Sequence, residues 1–290
     1  MISFNYSKMS GAGNTFIVVD GKELPEGIDL AALAPVVCSD SLEHGGADGF
    51  IAIDRWEGGD FEMRYYNRDG STGMMCGNGG RCAVRFAFDH GYIADGGNIG
   101  FINAGVAYRA AMTEHGVKVW FPEPREFRFG FEIDLLGGLR RSHFADVGTP
   151  HAVLFMDEIG EPAPRQVAGL DLNTWGPPLR RHAAFGPAGA NANFVEVSSD
   201  GSGILLRTFE RGVEAETGAC GTGAISSAII ASRLRDLSTP VSVTTSSGKT
   251  LRVDFRIDGD RVRDVSLEGD AEVVIRDVRL AIDDLQGIQN

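Results

Sequence analysis

The chain of 290 residues has no long apolar run and few lysines. No run approaches the roughly 18 apolar residues that a membrane span needs, and the sequence does not open on a signal-peptide pattern. Four of the 27 basic residues are lysines, and none lies in a setting typical of a Schiff-base site, which argues against pyridoxal phosphate. We therefore expect a cytoplasmic protein that uses no organic cofactor.

The cysteines and histidines show no spacing typical of a metal site. Cys38, Cys76, Cys82 and Cys220 form no CxxC pair and no cluster with histidine, so we expect neither a zinc site nor a structural disulfide framework. The net charge of -13 argues against a nucleic-acid or anionic-membrane partner, because such partners require a basic face.

Two glycine-rich stretches with a central cysteine lie 144 residues apart (220 minus 76). Residues 67–85 read NRDGSTGMMCGNGGRCAVR around Cys76, and residues 210–226 read ERGVEAETGACGTGAIS around Cys220. A predicted order of strands, one main helix and further strands occurs once around each cysteine. The period is too long for a solenoid repeat, so we predict two related halves of mixed α/β structure.

In each stretch a glycine-rich turn runs into a small-residue helical segment, so the cysteine is predicted at the helix entrance. Backbone N–H groups point outward there and favour negative charge. An ordinary thiol titrates at about 8.5, and a helix N-terminus lowers the pKa to roughly 3.5–7.5. Cys76 and Cys220 could thus each act as an acid or a base near neutral pH.

The remaining pattern predicts connections as well as regular elements. Helices are expected at 78–90 and 223–235, directly after the two cysteines. Residues 122–130 are predicted to be a linker and residues 173–191 a long loop, because both contain prolines and polar residues. His151, which follows the turn GTP, is predicted on a connection between two strands.

Further motifs lie along nearly the whole chain. The first half contains KMSGAGNTF and YYNRDGSTGMMCGNGGRC, and the second contains VGTPHAV, GANANFVEV and RTFERGVEAETGACGTGA. At these residues the chain resembles a diaminopimelate epimerase. The resemblance implies two pseudo-symmetric domains, each a curled, mostly antiparallel sheet around a central helix, with the active site in the cleft between them. It assigns residues 1–122 plus about 272–290 to the first domain and residues 123–271 to the second.

The resemblance also implies a homodimer, without organic cofactor or metal, that interconverts LL- and meso-diaminopimelate on the route to lysine and peptidoglycan. Cys76 and Cys220 match two catalytic thiols that flank the α-carbon, so that one removes its proton while the other delivers a proton to the opposite face. The remaining matched residues are substrate contacts, namely Asn14, Asn67, Gly77, Asn78, His151, Asn191, Glu210, Arg211, Gly221 and Thr222.

Departures from the family pattern leave two alternatives open. Thr15 occupies a position where the family commonly has aspartate, and Thr149 one where it often has an asparagine that contacts the distal end of the substrate. Thr149 thus leaves open a racemase or epimerase for another amino acid on the same fold, although Asn78 differs from the histidine common in proline racemases. A non-catalytic binding protein is disfavoured, because both thiols and both glycine turns are retained.

Overall fold

The computed structural model describes residues 2–42, 46–72 and 75–282. Within these ranges the chain forms seventeen strands and five α-helices. The strands are β1 (Ile2–Gly11), β2 (Asn14–Asp20), β3 (Gly49–Asp54), β4 (Phe61–Asn67), β5 (Ile99–Asn103), β6 (Val106–Thr113), β7 (Gly116–Trp120), β8 (Glu126–Leu135), β9 (Gly138–Asp146), β10 (Pro150–Phe155), β11 (Asn191–Val197), β12 (Gly203–Glu210), β13 (Ala215–Thr217), β14 (Val241–Thr244), β15 (Thr250–Asp258), β16 (Arg261–Gly269) and β17 (Glu272–Ile282). The helices are α1 (Leu30–Val37), α2 (Gly77–Asp89), α3 (Met156–Ile159), α4 (Leu172–Arg180) and α5 (Gly221–Arg235). None of the helices in the described ranges has both the length and the apolar character needed to cross a membrane.

The chain divides into two compact units. Unit 1 comprises Met1–Val119 and Glu268–Asn290, and unit 2 comprises Trp120–Leu267. The predicted first domain ends at 122 and resumes at about 272, so its bounds differ from those of unit 1 by three and four residues (122 against 119, 272 against 268).

The sheets of the two units repeat one order of strand pairings. In unit 1 the order is β17-β1-β2-β3-β4-β5-β6, in which the β2–β3 and β4–β5 pairs are parallel and the others antiparallel. In unit 2 it is β8-β9-β10-β11-β12-β14-β15, with β10–β11 and β12–β14 as the parallel pairs. The predicted α/β class with two pseudo-symmetric, mostly antiparallel halves is therefore confirmed.

Helices connect the parallel pairs, because a parallel pair needs a crossover connection rather than a tight hairpin. In unit 1, α1 joins β2 to β3 and α2 joins β4 to β5. In unit 2, α3 and α4 lie between β10 and β11, and α5 lies between β12 and β14. The helices α2 and α5 thus occupy equivalent places, as do their preceding cysteines.

Each sheet is covered on both faces. In unit 1, Leu33 of α1 packs in one core cluster with Ile17 and Phe50, whereas the start of α2 contacts the opposite face, where a Cβ at Gly79 would lie 3.3 Å from Ile51. This explains why β2 and β3 contain continuous apolar runs rather than an alternating pattern. In unit 2, Trp175 of α4 packs in the corresponding cluster.

The two main helices begin close to where the sequence places them, at 77 and 221 instead of 78 and 223. The helix α5 is buried along most of its length, from Gly221 to Ala231. A helix that is buried on all sides must be enclosed by other elements, which agrees with its place at the centre of unit 2.

Three of the predicted connections are wrong. Residues 126–130 of the expected linker belong to β8, whose pairing with β9 shifts register between Arg128 and Phe131, so a bulge hides the strand periodicity. Much of the expected loop at 173–191 is α4, in which Leu172, Trp175 and Leu179 are buried despite two internal prolines. Tertiary packing there overrides local propensity.

His151 is the third correction. It lies inside β10, one residue after the strand begins at Pro150, and not on a connection. Its backbone pairs with Ala145 of β9 and Asn191 of β11. The proline at the strand entrance suggests a turn in the sequence, although proline is tolerated at the first residue of a strand.

Gly11, the last residue of β1, lies directly against the first turn of α2. A Cβ added at Gly11 would lie 2.6 Å from the backbone carbonyl oxygen of Asn78. Only glycine, which has no side chain, lets the strand end approach the helix start this closely.

We predict that Gly11→Ala destabilises the protein by ~1–3 kcal/mol, the usual cost of forcing an extra methyl group into a packed site. Urea unfolding followed by circular dichroism should give a lower midpoint than for the wild type. Gly100→Ala in β5 is the matched control, because a Cβ there meets nothing within 4 Å. Equal midpoints for Gly11→Ala and the wild type would contradict the close approach.

Candidate active site

Cys76 is the residue immediately before α2. Its backbone is extended, with φ -78° and ψ 115°, and its carbonyl oxygen accepts the first helical hydrogen bond, from Gly80 N at 2.7 Å. The amides that precede Gly80 therefore point out of the helix start. The helix dipole is positive at this end, which favours the thiolate form of Cys76.

Asn14 and Asn78, both predicted site residues, meet beside this helix start. The Asn78 side chain is buried, and its Nδ2 donates to Asn14 Oδ1 at 2.6 Å. Asp48 fixes the segment that contains Asn14, because its Oδ2 accepts from Asn14 Nδ2 at 3.5 Å and from Thr15 N at 2.8 Å. The strand β2 thus presents Asn14 to the first turn of α2.

Asn67, the last residue of β4, is held in a turn of its own. Its Oδ1 accepts from the Tyr65 hydroxyl at 2.7 Å, and its Nδ2 donates to Ser71 Oγ at 2.9 Å. Its backbone N also donates to Ser71 O at 2.9 Å. These bonds orient the amide of Asn67 but do not join it to the Asn14–Asn78 pair.

Arg81 is a fully buried cation in the second turn of α2. Its guanidinium donates to Gly77 O at 3.2 Å, to Asn78 Oδ1 at 3.0 Å and to Asp270 O at 3.1 Å. Burial lowers the pKa of Arg81, opposed by the neighbouring Cys82, Asp270 and Cys76, and an arginine stays charged in a protein. Its charge therefore adds to the helix dipole in favouring a thiolate at Cys76.

Cys220 has the same place before α5 as Cys76 has before α2. Its backbone is extended, with φ -113° and ψ 110°, its carbonyl oxygen accepts from Ala224 N at 2.9 Å, and the residue is only 6% exposed. Gly223 allows this packing, because a Cβ there would lie 2.7 Å from Asn193 Oδ1 and 3.3 Å from the sulfur of Cys220.

His151 connects to the start of α5 through hydroxyl groups. Its Nε2 lies 3.0 Å from Thr149 Oγ1 and 2.9 Å from Thr222 Oγ1, and Thr222 Oγ1 lies 3.6 Å from the sulfur of Cys220. Its Nδ1 lies 2.9 Å from Asn193 Nδ2. The structure thus brings the predicted residues His151, Thr222 and Cys220 into one network.

The imidazole of His151 is neutral near pH 7. Complete burial lowers the pKa of His151 to about 3, and the neighbouring charge of Arg211 adds to the lowering. Desolvation disfavours the charged form of a buried histidine. His151 therefore contributes a neutral hydrogen-bonding group rather than a positive charge.

Asn191 and Arg211 meet at the edge of the same network. Asn191 Oδ1 accepts from Arg211 N at 2.7 Å, and Asn191 Nδ2 lies 3.4 Å from His151 Nε2. Glu210, the last residue of β12, accepts from the Thr217 hydroxyl at 2.9 Å. Thr217 and Cys220 line one narrow cavity of unit 2, so Glu210 lies one hydrogen bond from the wall that contains Cys220.

The other two cysteines differ from this pair. Burial raises the pKa of Cys38 to about 12, and burial also raises the pKa of the Cys82 thiol well above its ordinary value. Both therefore remain neutral thiols at physiological pH. A residue's position at a helix start, and not its being a cysteine, separates Cys76 and Cys220 from them.

Two further observations concern the described residues outside these two helix starts. No group of three or more His, Cys, Asp or Glu side chains within residues 2–42, 46–72 and 75–282 is arranged to hold a metal ion. A wider groove of unit 2, lined by Arg125, Phe129, Arg233 and Asp260, contains none of the predicted site residues.

The sequence patterns do not single out Arg81 or Asn193, and they mark Thr149 only as a departure from the family. Asn193 could have been found, because it follows Asn191 by two residues in a strand and so lies on the same face. Arg81 could have been noted as a charge between small and apolar residues, since it follows Gly80 and precedes Cys82 and Ala83. Its partner Asp270, however, lies 189 residues away, beyond any local signal.

A family model described as diaminopimelate epimerase matches residues 6–99 and 143–274 of the chain. The diaminopimelate epimerase of Chlorobaculum tepidum is 38% identical over 271 residues, which cover 92% of this chain and 98% of that protein. The diaminopimelate epimerase of Aquifex aeolicus is 35% identical over 279 residues, which cover 90% of this chain and 92% of that protein.

Solved structures of more distant proteins share the fold. A phenazine biosynthesis protein of the PhzF family from Bacillus anthracis matches with a TM-score of 0.71 at 13% identity, covering 97% of this chain and 100% of that one. A hydroxyproline epimerase from Agrobacterium vitis, with bound trans-4-hydroxy-L-proline, matches with a TM-score of 0.64 at 16% identity, covering 98% of this chain and 94% of that one. At such identities the likeness concerns the fold alone.

Stability should depend on pH through His151. The unfolded chain binds a proton at this residue below about pH 6.5, whereas the folded protein does so only near 3. The free energy of unfolding therefore does not change with pH through His151 above about pH 6.5. Between pH 6.5 and 3 it falls as the pH falls, by at most about 1.4 kcal/mol per pH unit. Urea unfolding of the wild type and of His151→Gln should be measured over this range. Because glutamine does not titrate, the free energy of unfolding by which the wild type exceeds the variant should shrink as the pH falls. A difference that is constant with pH would contradict the neutral, buried imidazole.

Removal of the buried cation should be costly. Arg81→Met leaves the acceptors on Gly77, Asn78 and Asp270 without the guanidinium donors. The free energy of unfolding should fall by roughly 1–3 kcal/mol for each acceptor that stays buried and unsatisfied. Arg85→Met is the matched control, since the side chain of Arg85 is 39% exposed and its ion pair with Asp89 is worth only about 0.3–0.5 kcal/mol. Urea midpoints that fall equally for both variants would refute the role of Arg81.

Proposed function

Because the chain belongs to the diaminopimelate epimerase family, we propose that it interconverts LL- and meso-diaminopimelate by proton transfer between the α-carbon and two cysteines. Membership of this family makes the protein an isomerase. The observation that supports the two-cysteine mechanism best is that both units have a cysteine at the same structural position. Cys76 and Cys220 each directly precede the main helix of a unit, at equivalent points of the same strand order.

Inversion of an α-carbon needs a proton to leave one face and another proton to arrive on the opposite face. In the proposed reaction the thiolate of one cysteine takes the α-proton, so that an S–H bond forms while the C–H bond breaks and its electron pair stays on the substrate. The thiol of the other cysteine donates its proton to the opposite face and becomes a thiolate. The substrate therefore gains and loses one proton, and only its configuration changes.

The electron pair left by the α-proton must be stabilised for the reaction to proceed without an organic cofactor. Much of this charge is delocalised onto the α-carboxylate, and helix N-termini are suited to bind such an anion. We assign this role to the backbone amides of Gly77 and Asn78 and to those of Gly221 and Thr222. The same helix start would thus activate a thiol and bind the carboxylate.

Polar side chains around the two helix starts would orient the rest of the substrate. We assign Asn14, Asn67, Asn191 and Arg211 to the polar groups of diaminopimelate, and Glu210 and His151 to positions near the thiols and the substrate amine. A neutral His151 suits this role, because an uncharged imidazole does not repel a substrate ammonium group.

The proposed cellular role follows from the same family. The enzyme would act in the cytoplasm as a homodimer and supply meso-diaminopimelate for lysine and peptidoglycan precursors. Diaminopimelate would be its small-molecule partner, and neither nucleic acid nor a membrane would take part.

The test is the incorporation of deuterium from D₂O into the α-position of diaminopimelate, measured together with epimerisation and without added cofactor. Cys76→Ala and Cys220→Ala should each reduce epimerisation by ~10²–10⁴, the usual contribution of one acid–base group. Cys38→Ala is the control, since the buried Cys38 lies outside the site and its loss should leave the rate unchanged. Full epimerase activity in both site variants would exclude the two-cysteine mechanism.

A panel of other amino acids, including proline and hydroxyproline, separates the proposal from its alternatives. Deuterium exchange with diaminopimelate and not with the others supports the proposed substrate. Exchange with another amino acid alone would replace it with a different racemase or epimerase. Binding of diaminopimelate without any exchange would indicate a non-catalytic binding protein.

A further inference from the structure

We propose that Thr149 and Thr222 form a hydroxyl relay that connects His151 to the sulfur of Cys220 and keeps one hydrogen-bond donor directed at that sulfur. The proposal deepens the proposed function, on which it rests, by naming the groups that stabilise the Cys220 thiolate. In the relay the side chains of Thr149 and Thr222 act through Cys220 and are positioning groups, whereas the backbone amide of Thr222 keeps the carboxylate-binding role proposed above.

The direction of the relay is set at Asn193, which is fully buried. Its Oδ1 accepts from the Thr208 hydroxyl at 2.9 Å, and its Nδ2 lies 3.1 Å from Ala152 O and 2.9 Å from His151 Nδ1. The Asn193 amide nitrogen can only donate, so His151 Nδ1 is the acceptor. The proton of the neutral imidazole therefore resides on Nε2.

The Nε2–H group of His151 faces the hydroxyl oxygens of Thr149 and Thr222, at 3.0 and 2.9 Å. Asn191 Nδ2, which also can only donate, is farther from Nε2 at 3.4 Å and donates instead to Pro150 O, so the shorter Asn193 contact on Nδ1 decides the tautomer. Thr149 Oγ1 in turn donates to Thr222 Oγ1 at 3.0 Å. If the imidazole donates to Thr149, Thr222 Oγ1 still accepts the hydrogen bond from Thr149; if the imidazole donates to Thr222, Thr222 Oγ1 accepts it directly. In both cases the hydroxyl proton of Thr222 is left to be donated to another acceptor. The sulfur of Cys220, 3.6 Å away, is the acceptor within reach.

A donor held in this way favours the charged form of its acceptor, because hydrogen bonding to the charged form lowers the pKa of an acid. The ionisable groups of unit 2 near the relay include His151 itself, Glu210 and Arg211. Asp146 belongs to the turn that contains Thr149, where its Oδ1 accepts from Gly148 N at 2.9 Å. His151 is neutral, Arg211 lies close enough to His151 to lower the pKa of the imidazole, and Glu210 is engaged by Thr217. Thr222 thus supplies an uncharged donor whose direction does not change near neutral pH.

Unit 1 differs at the equivalent positions. Asn14 and Asn78 take the places of Thr149 and Thr222, and the Asn78 amide donates to Asn14 rather than continuing a chain of hydroxyl groups. The buried guanidinium of Arg81 adjoins that helix start, whereas Ile225 occupies the same helical position in α5. One thiol is therefore supported by a permanent charge and the other by a neutral relay.

The experiment measures the alkylation rate of each cysteine by iodoacetamide over a pH series of about 5 to 10, with peptide mapping by mass spectrometry and no substrate present. Thr222→Val should lower the rate at Cys220 near neutral pH by roughly three- to tenfold, because loss of one hydrogen bond to a charged group raises the thiol pKa. Thr222→Ser keeps the hydroxyl and should restore the wild-type profile. Thr149→Val should cause a smaller shift in the same direction.

Each sample contains its own control, since the pH profile of Cys76 in unit 1 should not move in any of these variants. Thr250→Val, an exposed threonine-to-valine change in β15 of the same unit, controls for general effects of the substitution. An unchanged Cys220 profile in Thr222→Val, or equal shifts in Thr222→Val and Thr222→Ser, would overturn the relay.

The outcome is distinguishable from failure of the proposed function, because thiol alkylation needs no turnover. If the wild type epimerises diaminopimelate but Thr222→Val leaves the pH profile of Cys220 alkylation unchanged, the relay is refuted and the proposed function stands. The expected Cys220 shift in a protein that does not epimerise diaminopimelate would support the relay and refute the function.

Discussion

Both thiols depend on a main helix that begins in direct contact with its sheet. Glycine makes the contact possible in each unit: a side chain at Gly11 would collide with the backbone of Asn78, and one at Gly223 would collide with Asn193. Neither Cys76 nor Cys220 caps its helix through its side chain. The dipole of each helix therefore acts on a thiol that makes no capping hydrogen bond to its own helix.

The repeated backbone does not impose repeated chemistry. The strand order and the place of the main helix are the same in both units, but the polar groups around the two helix starts differ. Arg81 brings a buried charge to the start of α2, whereas neutral side chains bring a chain of hydrogen bonds to the start of α5. Because burial excludes water, the positions of these groups are maintained only while every donor has its acceptor.

Much of this arrangement can be predicted from the sequence, although unevenly. The sequence predicts the starts of the helices after the two cysteines to within two residues, because a glycine-rich turn followed by an apolar helical period is a strong local signal. The sequence does not predict the elements around residues 126–130 and 172–180, since a bulge in β8 and two prolines in α4 conceal the periodicity on which such predictions rely. Packing of Trp175 and Leu179 into the core of unit 2 stabilises α4 despite its composition.

The sequence by itself determined the duplication, the two thiols at helix starts and the family to which the chain belongs, because each of these is expressed in short, local motifs. Only the tertiary structure decided which polar groups meet. Thr149, His151, Asn193 and Thr222 come from two strands, a turn and a helix, and their hydrogen bonds link residues up to 73 positions apart. The charge of His151 was likewise decided by the fold, since complete burial keeps the imidazole neutral and no sequence pattern records desolvation.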